Sequence, residues 1–240
     1  MKKQPIMNQL LSRATDIKQY DNPDLPWNEH EDTLESPNRK WMFSFLSKCS
    51  DKWKGKVVDI GCGTGWLVNE ISKVTRFAIG IDPSKKNYDR GRKLFPSINL
   101  ENKDLYSFSE KNFDLAIAIM VFIHISDIKK AFKHINQMLK QKGEFQLIIP
   151  DYGYFRRPRE DITIKEINSD ECVMEIRRKT GTVVDIVRKQ EMYPKIAEEC
   201  GFKLIEHIPM VPSKELINNS SKYGEFSNKP ILHLFRFIKN

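Results

Sequence analysis

Residues 57–67, VVDIGCGTGWL, constrain this chain more than any other stretch. An apolar run is broken by Asp59, glycines follow at 61, 63 and 65, and apolar residues return at Trp66, Leu67, Ile71 and Val74, close to the spacing of one helix face. That pattern predicts a buried strand over 56–60, a tight turn and a helix. Glycine removes the side chain where the backbone must bend and approach a ligand, and the first turn of the helix offers unpaired N–H groups. The spacing argues against two common nucleotide turns. A dinucleotide turn carries its third glycine one residue later, where Trp66 stands, and a phosphate loop needs a Gly-Lys-Ser/Thr ending that is missing here. Asp59 points the same way: a carboxylate just before the glycines opposes a pyrophosphate and complements a cationic amino group.

The rest of the chain repeats the strand-and-helix alternation. Strands are expected at 77–81, weakly at 99–100, at 113–120 and at 145–149, where Pro150 stops the last. Helices are expected at 85–94 and after Ser126, which is placed to cap a stripe of Ile128, Phe132, Ile135 and Leu139 ending at Gly143. From Asp151 onward the texture changes. Segments 162–167, 171–177 and 183–188 alternate imperfectly between apolar and charged residues, as antiparallel strands with one wet face do. A helix at 193–200, a strand at 202–207, a loop rich in Pro, Asn and Ser, and a terminal strand at 231–238 complete the order. The expected fold is a doubly wound, mostly parallel Rossmann-like α/β sheet with an antiparallel terminal strand and a small β-rich insertion. Residues 1–55 read as an N-terminal arm and docking helix: a short helix near 9–17, an irregular stretch with Pro23 and Pro26, then a helix over 38–49. Residues 56–240 read as the core, including a substrate lid at 151–190.

The net charge of +8 permits an RNA partner without demanding one, because the excess is spread along the chain. Its densest patch, Lys85, Lys86, Arg90, Arg92 and Lys93, reads as a solvated helix flank. Cysteines at 49, 62, 172 and 200 form no CxxC pair, and histidines at 30, 124, 134, 207 and 233 form no compact ligand set, so no metal is expected. No apolar run approaches the roughly 18 residues of a membrane span, and no signal core opens the chain. A cytoplasmic protein is expected.

Asp82 closes the second strand, where its two oxygens can accept hydrogen bonds from the vicinal hydroxyls of a ribose. In order, DIGCGTG, GIDPS, FDLAIAIMVFIHI and LKQKGEFQLIIP resemble the class I S-adenosylmethionine-dependent methyltransferases, most closely their small-molecule branch. The resemblance implies S-adenosylmethionine as cofactor and S-adenosylhomocysteine as product. By that likeness Gly61, Cys62, Gly63 and Gly65 form the cofactor turn along the methionine part, Asp59 organises its amino group, and Asp82 holds the ribose. Pro83 and Ser84 would border the adenine, Asp104 and Leu105 would meet its edge and face, and Ile119 and Met120 would sit beside the sulfonium. Met120 and Ile123 stand where relatives often carry Glu, and LKQKG stands where LKPGG is common. No NPPY-like tetrapeptide or Pro-Cys nucleophile follows the fourth strand, so the resemblance does not point to DNA modification.

On the acceptor side, His124 lies just past the fourth strand and is the candidate for proton transfer; capping the next helix or filling a loop is the alternative. Tyr152, Tyr154 and Arg156 could grip a substrate or pack beneath the insertion. Tyr20 and Trp27 on the arm could close over the site or anchor the arm. The reading is methyl transfer to oxygen or nitrogen of a small metabolite, with RNA methylation or an inactive cofactor-binding scaffold as alternatives.

Overall fold

The computed structural model describes residues 3–16, 18–21, 33–178 and 181–240. The chain opens with α1 (Lys3–Ala14) and the short α2 (Lys18–Asp21), then α3 (Pro37–Leu46) and a 3-10 segment, Ser47–Lys54. The alternating half follows as β1 (Val57–Ile60), α4 (Trp66–Ser72), β2 (Ala78–Ile81), α5 (Lys85–Leu94), β3 (Asn99–Glu101), β4 (Phe113–Ile119), α6 (Ile128–Met138) and β5 (Leu139–Pro150). Beyond it come α7 (Tyr152–Arg156), β6 (Ile162–Glu166), β7 (Glu171–Arg178), β8 (Gly181–Arg188), α8 (Met192–Glu199), β9 (Phe202–Met210), α9 (Lys214–Asn219) and β10 (Leu232–Lys239).

Seven strands form one sheet in the order β3-β2-β1-β4-β5-β10-β9. The first five pair in parallel, and β10 runs antiparallel to both β5 and β9. The last strand of the chain therefore lies inside the sheet, with β9 at the edge. Order reverses between β1 and β4, and a doubly wound sheet opens a crevice at the carboxyl ends of its strands at such a point. Both faces are covered. On one, Phe122, Phe132, Phe145, Tyr193, Phe202, Phe235 and Phe237 interlock beneath α6 and α8, many rings meeting edge to face. On the other, Trp41 and Leu46 of α3 and Leu67, Val68 and Ile71 of α4 bury against Val57, Leu115, Ile117 and Ile148.

Strands β6, β7 and β8 form a separate antiparallel sheet. The arm is fastened to it. Leu10 and Ala14 of α1 pack on Val173, Val184 and Ile186, and Arg13 pairs with Glu175 at 2.9 Å. The Gln19 side chain bonds the backbone of β8 in both directions: Val184 N–H donates to its Oε1 at 3.0 Å, and its Nε2 donates to the Val184 carbonyl at 3.4 Å. Because α2 lies beside α5, arm and insertion together bridge the carboxyl end of the main sheet.

Four local expectations are corrected. Asp127, not Ser126, caps α6, its Oδ1 accepting from Lys130 N–H at 2.9 Å while Ser126 is exposed. The helix ends at Met138 rather than Gly143, because Leu139 already pairs with Phe113 at the start of β5. Val74 and Phe77 are exposed, α4 and β2 having ended one or two residues short of them. The Pro/Asn/Ser-rich loop folds into α9 and a 3-10 turn, Ser221–Phe226, because Leu216 and Tyr223 are buried against the core. Among the described residues, no helix is long and apolar enough to cross a membrane, and no group of three or more His, Cys, Asp or Glu is arranged to hold a metal ion.

Candidate cofactor and acceptor site

The turn after β1 takes the shape its glycines allow. Gly63 sits at φ +57° with open space above its Cα, so a ligand can lie directly on the backbone there. Gly65, at φ +86°, serves packing instead: a Cβ at that position would lie 2.7 Å from Ile98 and 2.9 Å from Leu100.

Asp82 ties this turn to the next one. Its Oδ2 accepts from Gly63 N–H at 2.9 Å and its Oδ1 from Ser84 N–H at 2.9 Å, while Ser84 Oγ accepts from Asn87 N–H to cap α5. Each carboxylate oxygen can accept more than one bond, which leaves acceptor capacity for a diol. Asp59 is 3% exposed. Burial pushes its carboxyl up to about 8, Arg39 opposing the shift and Asp82 reinforcing it. Arg39 comes from α3 and stacks over Trp66 at 5.3 Å. The buried Cys62 thiol is raised well above its ordinary value by desolvation and stays neutral.

The opposite wall is the end of β4 and the segment after it. Met120 holds φ +59°, a conformation rare outside glycine and found disproportionately at functional sites, and its N–H donates to the Ile148 carbonyl at 2.9 Å. His124 follows one turn later. Burial holds its imidazole down at about 4, only partly offset by a hydrogen bond to the Ala14 carbonyl, so the ring is neutral at pH 7. Asp185 Oδ1, on β8, lies 3.7 Å from its Nδ1.

These groups surround one cavity of about 280 Å³. Asp59, Gly61, Cys62, Gly63 and Thr64 form its floor; Asp82, Pro83, Ser84, Lys86, Asn87 and Arg90 one side; Ile119, Met120, Val121 and His124 the other; Ala14, Thr15, Asp16 and Gln19 of the arm its cover. Of the residues singled out for the cofactor and for proton transfer, the cavity thus gathers Asp59, Gly61, Cys62, Gly63, Asp82, Pro83, Ser84, Ile119, Met120 and His124.

Others are placed elsewhere. Asp104 Oδ1 folds its own turn, accepting from Tyr106 N–H at 2.7 Å and Ser107 N–H at 2.9 Å, and Leu105 is buried in the core. Tyr152 packs beneath the insertion with Cys172 and Val187, Arg156 lying over its ring and pairing with Glu166. Tyr154 packs against Tyr223 and Phe226 under the guanidinium of Arg157. The aromatic-basic run after β5 therefore joins insertion to core and does not line the cavity. Trp27 lies outside the described residues, as does the side chain of Tyr20, whose backbone belongs to α2.

Several cavity residues escaped the sequence. Lys86, Asn87 and Arg90 share one face of α5, and plotting the basic patch on a helix separates this inward face from the flank read as solvated. Arg39 carried no signal, since only the docking of α3 brings it to Asp59.

A methyltransferase-domain family model matches residues 34–207, well over half of the chain. Among curated proteins, the chain is 29% identical over 94 residues to a ubiquinone biosynthesis O-methyltransferase from Pelagibacter ubique, covering 37% of this chain and 39% of that one. The matched segment spans roughly two-fifths of the length of such relatives. Among solved structures, an S-adenosylmethionine-dependent methyltransferase from Mesorhizobium loti shares the fold with a TM-score of 0.68 at 20% identity, covering 85% of this chain and 100% of that one. The N-methyltransferase NodS from Bradyrhizobium japonicum does so with a TM-score of 0.58 at 16% identity, covering 85% and 96%. With the sheet order, the glycine turn and a matching family model in agreement, this chain belongs to the methyltransferase-domain family and has the class I S-adenosylmethionine-dependent fold.

Proposed function

We propose that this chain transfers the methyl group of S-adenosylmethionine to an oxygen or nitrogen atom of a small metabolite. The observation that carries the reading is the cavity itself, which joins the buried Asp59, an Asp82 tied to the glycine turn and a neutral imidazole beneath a cover supplied by the chain's own arm. The residues suit the cofactor. Open backbone at Gly63 admits a ligand at contact distance, Asp82 retains acceptor capacity, and Arg39 offers a cation to the carboxylate of an α-amino acid while Asp59 can ionise beside its ammonium.

When bound, the cofactor supplies an already activated methyl group, which leaves the protein to position an acceptor and exclude water. Asp59 and Arg39 would hold the cofactor's amino-acid end and Asp82 its sugar. Ile119, Met120 and Val121 form an apolar wall that keeps water from the reacting face. His124, held neutral at pH 7 by desolvation, offers its unprotonated ring nitrogen as a hydrogen-bond acceptor that orients the O–H or N–H of the acceptor, and the proton released on methyl transfer passes on to solvent, because an imidazole near 4 is too weak a base to keep it. Tyr152, Tyr154 and Arg156 tie the insertion to the core.

The test supplies methyl-labelled cofactor to a metabolite extract and to intact RNA, at low and moderate salt. Label should enter the metabolite fraction with little dependence on salt. Preferential labelling of RNA, collapsing steeply as salt rises, would defeat the small-acceptor reading.

A further inference from the structure

Arg188, the last residue of β8, is 1% exposed. Its guanidinium reaches out of the insertion into the segment linking β4 to α6: Nη1 donates to the Phe122 carbonyl at 2.9 Å, and Nη2 to those of Ile125 at 2.8 Å and Ser126 at 3.0 Å. Nε donates to Glu171 on β7 at 2.6 Å. These bonds use four of the five N–H groups of arginine, in a fork that a lysine ammonium cannot reproduce. Burying a guanidinium is unfavourable unless it is paired and hydrogen-bonded, and a hydrophobic pair would often be as stable. Arg188 meets that condition through these four bonds, and the carbonyls it engages flank His124 on both sides. Three residues earlier on β8, the buried Asp185 stands beside the same imidazole at 3.7 Å from Nδ1.

We propose that Arg188 is a positioning residue for the acceptor wall: the insertion clamps residues 122–126 through it and thereby sets where His124 stands in the cavity. The insertion then helps to shape the acceptor site although none of its described residues lines the cavity. This rests on the assignment of His124 to the acceptor side, but the clamp and that assignment fail separately.

The measurement is NMR of histidine-selectively labelled protein with S-adenosylhomocysteine bound, comparing wild type, Arg188→Lys and Glu171→Gln, well below each melting temperature. In Arg188→Lys the ring signals of His124 should shift and broaden while those of His134, His207 and His233 stay in place, with S-adenosylhomocysteine affinity unchanged within about twofold because the cofactor groups are not touched. Glu171→Gln, which keeps the fork but weakens its anchor, should shift the same signals less; it carries the test if Arg188→Lys does not fold. A merely stabilising arginine would lower the melting temperature and leave the His124 signals where they were, and that result in either folded variant overturns the clamp. If the signals respond while His124→Ala still methylates the metabolite extract at the wild-type rate, the clamp is supported and only the acceptor-side assignment of His124 falls.

Discussion

On the proposed reading, cofactor affinity and proton balance meet at Asp59. In the free protein its carboxyl titrates near 8, so below that pH it is largely protonated. A cationic amino group beside it favours the carboxylate, so binding releases a proton and affinity rises with pH until about 8. Calorimetry in buffers of different ionisation enthalpy should show that release, with the dissociation constant falling by at most about tenfold per pH unit; Asp59→Asn should bind more weakly and lose the dependence. A pH-independent affinity in the wild type would remove Asp59 from the amino-group site. That Asp59 and Asp82 meet in one cavity was legible in the sequence, since both stand at fixed offsets from their strands and the glycines. Arg39 was not legible, because its place depends on how a helix with no such offset packs. Asp104 differs from Asp82 in place: it folds its own turn and does not line the cavity.

Among the elements, the boundary of α6 offers a direct test of the capping assignment. Asp127→Ala removes the side-chain acceptor for Lys130 N–H and should lower stability by about 1 kcal/mol, within the usual 0.5–2 kcal/mol for a lost cap, whereas Ser126→Ala should be close to neutral. Denaturant midpoints at unchanged slope would read both. Equal effects would return the cap to Ser126. Periodicity made most strands and helices legible, including the three-stranded insertion, because one-sided burial imposes alternation on sequence. It failed where tertiary contact decided the outcome. Leu139 fits the helical stripe but is taken by β4 through pairing with Phe113, and α9 forms in a polar loop because Leu216 finds a pocket. The tyrosines after β5 failed similarly, since a tyrosine in a lid and a tyrosine beneath one look alike in sequence.

At the scale of the whole molecule, the buried Asp59 and the partly buried His124 pull stability in opposite directions with pH. His124 has a folded value near 4 against an ordinary 6.5, so the unfolded chain binds more protons in that window and acidification through it destabilises the protein. Asp59 is raised from 3.8 to about 8, so the folded state holds the extra proton and its contribution is lost as pH rises through that range. Melting temperatures of the ligand-free protein should therefore fall less between pH 6.5 and 4 in His124→Gln than in the wild type. An unchanged acid profile would mean that the imidazole is not held neutral by burial. The account as a whole stands on the cavity being an S-adenosylmethionine site organised by Asp82, and calorimetric titration of wild type and Asp82→Ala with S-adenosylhomocysteine, S-adenosylmethionine and NAD tests this most directly. The wild type should bind the first two at one site and NAD not measurably, and Asp82→Ala, folded by circular dichroism, should lose about 1.5–3 kcal/mol of binding free energy. Binding of NAD alone, or equal affinities for wild type and variant, would contradict it.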